Sequence, residues 1–411
     1  MLFRSRLFAH PSFVLLWISG FLVTIGAAAF PIALAVTVLD EGGSATTLGL
    51  ILASRILSGV VLAGFGGVWA DRFKRKYIMI IADVTRGFLT LALFLVTTAG
   101  LPTWTLAVIV FLMGTGEALG MPASAAILPS LLPNELLPAG NALRSVTARV
   151  GSILGPAIGG LFVALVGSHK TFLITAVGFL IGTALLFPLK EGAIESKPQS
   201  NSFFADFAEG IRTVRNMPWV AAIIVMAAVQ LMVVIGVESV MLPVVTKSQF
   251  EGNFTFAAAS AAAGIGGAVS ALVWARIKSK KPGLVSVIAW LFFAVGPLAL
   301  AFPFASWWVI FAYFVLGAST EPFGIYWSTA IQREVPQELQ GRVFSVDHMG
   351  SLSLLPLGMA LAGPTTEAFG IRNVLIFVVA FHIVTGLAVL AVPGVTRLKT
   401  PEVNSSVSEQ N

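Results

Sequence analysis

The chain contains no cysteine, and only 11% of its residues are charged. The lack of cysteine excludes disulfides and thiolate metal sites. Soluble globular proteins average about 25% charged residues, whereas 57% of the residues here are hydrophobic. A water-soluble fold could not bury that much apolar surface, so the sequence predicts a protein whose solvent is lipid.

Other absences narrow the class of protein further. The four histidines show no metal-ligand spacing, and no Gly-rich phosphate loop ends in Lys-Ser or Lys-Thr. The sequence pI near 9.8 would fit nucleic-acid binding, but the basic residues lie in short turns between apolar runs. We therefore expect no enzyme activity, no metal or cofactor, no ATP coupling within this chain and no nucleic-acid partner.

Twelve apolar runs approach the length of about 20 residues that a membrane-spanning helix needs. They form two sets of six, separated by the one long polar stretch, in which residues 204–214 could form an interfacial amphipathic helix. The sequence thus predicts an all-α integral membrane protein with twelve transmembrane helices in two pseudo-symmetric six-helix bundles. The predicted domains are 1–189, a linker 190–217, 218–393 and a tail 394–411. The predicted spans are 12–38, 46–70, 78–99, 103–129, 141–166, 170–189, 218–245, 255–275, 283–303, 306–331, 343–365 and 371–393.

The basic residues predict the orientation. With a cytoplasmic N-terminus, nearly all of the 25 lysines and arginines fall in cytoplasmic segments. Only Lys170, Lys247 and Arg372 fall on the opposite side. Since cytoplasmic loops are enriched in Lys and Arg, we expect a multi-pass protein of the inner (plasma) membrane with both termini inside.

Two internal echoes indicate that the halves are repeats. The basic turn after Trp69 has a fainter copy after Trp274, about 205 residues later. Residues 133–144 after the fourth run resemble residues 336–345 after the tenth, at an offset of about 203. Two echoes at nearly the same offset are hard to explain without duplication, and many secondary transporters are built from such repeats.

The segment 67–76, Gly-Val-Trp-Ala-Asp-Arg-Phe-Lys-Arg-Lys, resembles the G-x-x-x-D-R-x-G-R-[RK] loop of the major facilitator superfamily. Lys74 replaces the inner glycine of that motif. The resemblance implies that this loop latches one conformation of an alternating-access cycle, whereas a generic positive-inside turn is the simpler interpretation. The matching residues are Gly67, Asp71, Arg72, Arg75 and Lys76.

The fifth predicted span reads Gly-Ser-Ile-Leu-Gly-Pro-Ala-Ile-Gly-Gly over residues 151–160. Glycines every fourth residue give a smooth face that permits close helix packing, and a proline permits a bend. The run resembles a signature of the superfamily's exporters, although a plain packing seam would use the same glycines. The residues of this motif are Gly151, Gly155, Pro156, Gly159 and Gly160.

Ionisable residues inside the predicted spans are candidate functional groups because each is unfavourable in lipid. Asp83 and Arg86 are three residues apart on one helical face, which predicts a structural ion pair. Arg55 lies near the middle of the second span. One carboxylate is expected to carry a coupling proton, with a structural role as the alternative. The candidates for contact with the proton or the substrate are Glu117, Arg149, Glu238 and Glu321.

Residues 10–17 and 335–344 resemble the superfamily branch of macrolide-type drug exporters and siderophore exporters. The resemblance implies proton-driven export of a small amphipathic compound through a cavity that we expect to be walled by Phe, Met and Trp. The other interpretations are export of a siderophore or endogenous metabolite, and a membrane sensor that does not transport. Expected partners are the small-molecule substrate, protons and membrane lipids, and a monomer is the family default.

Overall fold

The computed structural model describes residues 6–100, 102, 104–192, 203–277, 279, 281–392, 394 and 395, without the side chains of 63–72, 152, 203, 204 and 206. Most of the predicted linker and nearly all of the predicted tail lie outside these residues. The side chains of Gly67, Asp71 and Arg72 are outside them too, so the predicted loop motif is described only at Arg75 and Lys76.

Six helices form the N-terminal bundle. Each corresponds to one of the apolar runs. Proline occupies the first turn of the first and fifth helices, where a backbone N–H has no partner within the helix and its absence costs nothing. The fourth and fifth helices are joined through two short 3₁₀ turns. The helices are α1 (Pro11–Asp40), α2 (Ala45–Arg72), α3 (Arg75–Thr98), α4 (Trp104–Ala126), α5 (Leu137–Val166) and α6 (Ser168–Ala184).

The C-terminal bundle begins after a short amphipathic helix, α7 (Phe203–Arg215). Two of its helices are irregular: the first contains a π turn at Leu231–Ile235, and the third contains a 3₁₀ turn at Phe292–Ala294. The helices are α8 (Pro218–Gln249), α9 (Phe254–Trp274), α10 (Pro282–Ala301), α11 (Ser306–Glu334), α12 (Gln337–Leu352), α13 (Leu355–Phe369) and α14 (Ile371–Val389).

Ten helices of the described chain are long and apolar enough to span a membrane. The predicted sixth span appears as α6, which has 17 residues. The predicted eleventh span is divided into α12 and α13 by a turn at Ser353 and Leu354. Pro356 follows that turn, and proline lacks the N–H that a continuous helix would need. The all-helical membrane fold is therefore confirmed, while the count of twelve spans stays a prediction.

Equivalent close contacts recur in the two bundles. A Cβ atom on Gly155 would overlap Ala28 of α1, and one on Gly358 would overlap the backbone of Met232 in α8. Gly114 likewise abuts the backbone of Arg55, as Gly317 abuts that of Ala263. The glycines of these pairs are offset by 203 residues, as in the sequence echoes, and their partners by 204 and 208, so the repeat extends from sequence to packing.

We call the membrane face that carries Arg75 and Lys76 the basic face, and the other one the opposite face. Toward the opposite face, one apolar core runs through both bundles and includes Phe30, Val240 and Met359. Toward the basic face each bundle has cores of its own, one around Phe13 and another around Val343. Within the described residues, the bundles are thus packed together in one half of the membrane and separate in the other.

The amphipathic helix α7 packs on the C-terminal bundle. Its Glu209 forms an ion pair of 2.7 Å with Arg342 of α12, and Val214 joins an apolar core with Val343 and Ile331. The segment predicted to form an interfacial amphipathic helix is indeed helical, and Val214 packs on protein while Ile211 is exposed. Its location in the membrane interface stays a prediction.

Candidate functional site

Arg75 and Lys76 begin α3, and the carboxylate of Glu191 caps that end. It accepts the backbone N–H groups of Arg75 and Lys76 at 3.1 and 3.0 Å. Lys76 Nζ donates to the carbonyl groups of Phe187 and Leu189 at 2.5 and 2.9 Å. A carboxylate at a helix N-terminus satisfies N–H groups that have no partner within the helix. The basic turn is therefore tied to the segment after α6, a contact that the sequence analysis missed.

Lys74 immediately precedes α3, at the position where the family motif has glycine. Its backbone angles are φ −57° and ψ 122°, which any L-residue adopts easily. The turn therefore does not need a glycine at this position.

The glycine face of α5 packs against α1. Added Cβ atoms on Gly151 and Gly155 would overlap Thr24 and Ala28, and one on Gly159 would lie 2.8 Å from Ala29 Cα. Pro156 lies inside α5 without ending it. The predicted smooth face is thus a close contact within the N-terminal bundle.

Gly160 belongs to the same motif but faces a different partner. A Cβ atom there would overlap Ala257 of α9, in the other bundle. Gly363 makes the matching approach from α13 to Thr46 of α2. The glycine motif therefore also contributes to the contact between the bundles.

Among the described residues, two arginine–carboxylate ion pairs lie within the N-terminal bundle. Arg86 Nη1 lies 3.3 Å from Asp83 Oδ1, and the Arg86 guanidinium stacks 4.5 Å from the Phe179 ring centre. Arg55 Nη2 and Nε donate to Glu117 Oε2 at 2.8 and 3.2 Å. Both arginines were noted from the sequence, but the pairing of Arg55 with Glu117 was not predicted, because the two residues lie in different helices.

A third ion pair joins the two bundles. Arg149 of α5 donates two hydrogen bonds to Glu321 of α11, from Nη1 to Oε1 and from Nη2 to Oε2, the second at 2.6 Å. The Arg149 side chain is 49% exposed, so water can reach the pair. Both residues were candidates from the sequence. Their pairing could not be predicted, because they are 172 residues apart in the chain.

Glu238 has a different environment. It is buried in α8 and accepts a hydrogen bond from the Tyr313 hydroxyl of α11. Tyr313 is also buried, and the sequence analysis did not single it out, although it is one of only three tyrosines. Among the described residues, no cation forms an ion pair with Glu238.

A polar cluster adjoins the π turn of α8. Gln230 accepts a hydrogen bond from Trp290 Nε1 at 2.5 Å and donates to Thr385 Oγ1 at 2.7 Å. The His382 ring pairs with the Trp290 carbonyl at 2.9 Å. π turns are frequent at functional sites, but nothing in the sequence pattern predicted this one.

A cavity of about 580 Å³ lies within the N-terminal bundle. Its walls include residues in the second turns of α3 and α5 and in the last turn of α4, so it extends toward the basic face. The expected Trp and Met side chains line this cavity, but none of its described lining residues is Phe, and small and charged residues line much of it. The charged residues are Asp83, Arg86, Glu117 and Arg144, and the apolar ones include Leu16, Trp17, Val23, Met79 and Met121.

Polar contacts hold the bundles together at the opposite face. Lys247 of α8 lies 2.5 Å from Asp40 at the end of α1, and Thr46 of α2 donates to Glu367 of α13 at 2.8 Å. Next to Asp40, Glu41 lies 3.9 Å from His169. The pKa of Glu41 is raised above its ordinary value. Burial is the largest cause, His169 opposes the shift, and the nearby charge of Asp40 adds to it.

Comparison with known proteins agrees with this architecture. The multidrug efflux pump Tap of Mycobacterium tuberculosis is 28% identical over 88% of both chains. The enterobactin exporter EntS of Salmonella paratyphi A is 26% identical over 87% of this chain and 86% of its own. A solved structure of a mutant of the nucleoside transporter NupG superposes with a TM-score of 0.77, at 16% identity, over 92% of this chain and 99% of that one.

The family model described as Major Facilitator Superfamily matches residues 16–353, which is most of the chain. The match runs from α1 to the end of α12, so it includes most of both bundles and the segment between them. The protein is therefore a multi-pass membrane transporter and not an enzyme, and it belongs to the major facilitator superfamily.

Proposed function

We propose that the protein exports a small amphipathic compound by proton antiport, through alternating access of one cavity to the two sides of the membrane. The observation that carries this proposal is the Arg149–Glu321 ion pair, which joins the bundles where they begin to separate. The names of the relatives, a multidrug efflux pump and an enterobactin exporter, support export over uptake.

The distribution of Lys and Arg supports a cytoplasmic location for the basic face. With that orientation the cavity is open to the cytoplasm, and the continuous apolar core closes the outer side. This is the state in which an exporter loads its substrate. Release would require the outer contacts Lys247–Asp40 and Thr46–Glu367 to separate.

Three carboxylates were candidates for the coupling proton, and their partners distinguish them. Glu117 pairs with Arg55 inside the N-terminal bundle, and Glu238 bonds to Tyr313 inside the C-terminal bundle. Rigid-body rocking of the bundles would leave both contacts intact. Of these three carboxylates, only Glu321 has its ionic partner in the other bundle, so its electrostatic environment depends on the conformation.

We therefore assign proton coupling to Glu321. When the bundles rock outward, Glu321 would lose Arg149, and an unpaired carboxylate inside a membrane protein costs several kcal/mol. A proton from the outside would neutralise it. When the bundles return, Arg149 would replace that proton, which would leave through the water-filled cytoplasmic cavity.

The test requires a transported compound. A panel of antibiotics and siderophores, tested on a deletion strain and an overproducer, would identify it by increased tolerance or increased secretion. The purified protein, reconstituted in liposomes that contain a pH-sensitive dye, should then couple movement of that compound to proton flux.

The variant Glu321→Gln should lose pH-gradient-driven transport to the level of protein-free liposomes. It should still exchange substrate at equal pH, because the cavity is unchanged. Glu334→Gln, an exposed position at the end of the same helix, is the matched control and should behave as wild type. Normal gradient-driven transport by Glu321→Gln would contradict the assignment, and its loss in Glu117→Gln or Glu238→Gln instead would move coupling there.

Export of a siderophore or an endogenous metabolite is the second candidate, favoured by the similarity to the enterobactin exporter. The compound panel decides between the two. A non-transporting sensor would move no compound and no protons in liposomes. We propose a monomer, to be tested by the mass of the purified protein in detergent.

A further inference from the structure

We infer that the cavity binds an amphipathic organic anion, a compound with an apolar body and one carboxylate or similar acidic group, and that Arg144 is the residue that binds this group. The inference deepens the proposed function and depends on it, since it names the chemical class of the exported compound. It starts from an arginine that the sequence analysis placed in a cytoplasmic segment as an ordinary positive-inside residue.

Arg144 lies seven residues after the start of α5 and lines the cavity. Its Nη2 donates to Ser124 Oγ of α4 at 2.9 Å. None of the described carboxylates lies within ion-pair distance of it. A guanidinium has five N–H donors arranged in a fork that matches a carboxylate, so one bond to a serine leaves most of its donors available.

The other charges of the cavity wall are already compensated. Asp83 pairs with Arg86, and Glu117 pairs with Arg55, which approaches from behind the wall. Arg144 is therefore the charge in excess, and the wall as a whole favours a ligand with one negative charge. Partial burial in a membrane protein strengthens that preference, because water screens the charge less than it does at a surface.

Neighbouring side chains suit the same ligand. Asn141 and Ser145 lie within one turn of Arg144, also line the cavity and are exposed to it, so they can bond an acidic group or its ester. Trp17 lines the wall with its indole N–H already donated to Thr147 at 2.7 Å, which leaves its rings as an apolar surface. Met79 and Met121 add flexible apolar contacts that tolerate ligands of different shapes.

A lipid phosphate is the alternative anion for an arginine near a membrane surface. The position of Arg144 argues against it. The cavity is lined by α1, α3, α4 and α5, and the hydrogen bond to Ser124 holds the guanidinium against α4 on the cavity side. Lipid head groups would meet the outer surface of the bundle instead.

The test measures binding to purified protein in nanodiscs of uncharged lipid by equilibrium dialysis. Three probes share a naphthyl group and differ in charge: 2-naphthalenesulfonate, 2-naphthalenesulfonamide and a trimethyl-naphthylammonium ion. The anion should bind most tightly. Arg144→Gln should weaken its binding by roughly 10- to 100-fold, since hydrogen bonds to charged groups contribute about 1.5–3 kcal/mol. Arg144→Lys, which keeps the charge but loses the fork, should lie in between.

Arg276→Gln is the matched control, since Arg276 is an exposed basic residue after α9, and it should bind the anion as wild type does. Preference for the neutral or cationic probe would overturn the inference, as would undiminished anion binding by Arg144→Gln or no saturable anion binding by wild type. The proposed function is judged separately by gradient-driven transport. A wild-type protein that moves a cationic drug with protons but does not bind the anion keeps the function and loses this inference.

Discussion

At the scale of single residues, charged groups that the sequence presents as isolated acquire partners from other helices. Arg55 and Glu117 meet across α2 and α4, and Arg149 and Glu321 meet across the bundles. Spacing along one helix predicted the pairing of Asp83 with Arg86, which lie three residues apart. It could not predict the other pairs, because helix rotation and crossing position decide which side chains meet.

Glu41 provides a prediction at this scale that is independent of transport. Because burial raises the pKa of Glu41 above its ordinary value of 4.5, the folded state binds the Glu41 proton more tightly than the unfolded state does. Its contribution is fully present below about pH 4.5 and is lost as the pH rises through the folded-state pKa. The melting temperature of wild type should therefore fall relative to Glu41→Gln as the pH rises from 4.5.

Thermal unfolding of the purified proteins across this pH range checks the prediction. Glu251→Gln, at an exposed site in the loop before α9, should show no such trend relative to wild type. A melting temperature of wild type that rises relative to that of Glu41→Gln with rising pH would show that the pKa is lowered instead.

At the scale of helices, the sequence was most informative where composition alone decides the structure. Apolar runs predicted the long helices, and the spacing of Gly151, Gly155 and Gly159 predicted a smooth face on α5. Which helix covers that face was not predictable, because nothing in α1 marks Ala28 as the neighbour of Gly155. The cavity walls were predicted only in part, at Trp17, Met79 and Met121, for a related reason. Most Phe side chains were available to pack in cores or face lipid, and composition does not say which side chains turn inward.

A single methyl group tests the close contact between α1 and α5. Gly155→Ala should destabilise the protein by about 1–3 kcal/mol, because the new Cβ overlaps Ala28. Gly178→Ala in α6, where a Cβ would meet no atom within 4 Å, should be neutral or stabilising by about 0.5–1 kcal/mol.

Unfolding of both variants in the same detergent, by heat or chemical denaturant, makes the comparison. Gly358→Ala offers a second measurement, since the repeat predicts for it a loss similar to that of Gly155→Ala. Equal stability of Gly155→Ala and Gly178→Ala would mean that α1 moves to accommodate the added methyl group without a loss of stability.

At the scale of the whole molecule, the cores suggest how the transporter moves. Apolar packing is shared by the bundles on one side of the membrane and divided on the other. Alternating access then requires the shared packing to open while the divided side closes. The sequence echoes predicted two equivalent halves. They could not predict which side of the membrane is closed, because that depends on the relative stability of the contacts between the bundles on the two sides.

The lack of native cysteine permits a direct test of this motion. Asp40→Cys combined with Lys247→Cys places one thiol on each bundle at the opposite face. A short bifunctional maleimide should link the two and abolish transport, because the opposite face can no longer open.

Glu41→Cys with His169→Cys is the control pair, since both positions lie in the N-terminal bundle. Its crosslinking should leave most transport intact. Unimpaired transport by the fully crosslinked Asp40–Lys247 pair would rule out rocking that opens the opposite face.

The π turn at Leu231–Ile235 has a consequence for the way this protein can change during evolution. Deletion of one residue there would convert the wide turn into regular helix. Because the wide turn accommodates the extra residue, the helix on both sides would keep its rotation, with Gln230 bonded to Trp290 and Glu238 bonded to Tyr313. One codon could therefore be lost at this place without changing which side chains the two halves of the helix present to their neighbours.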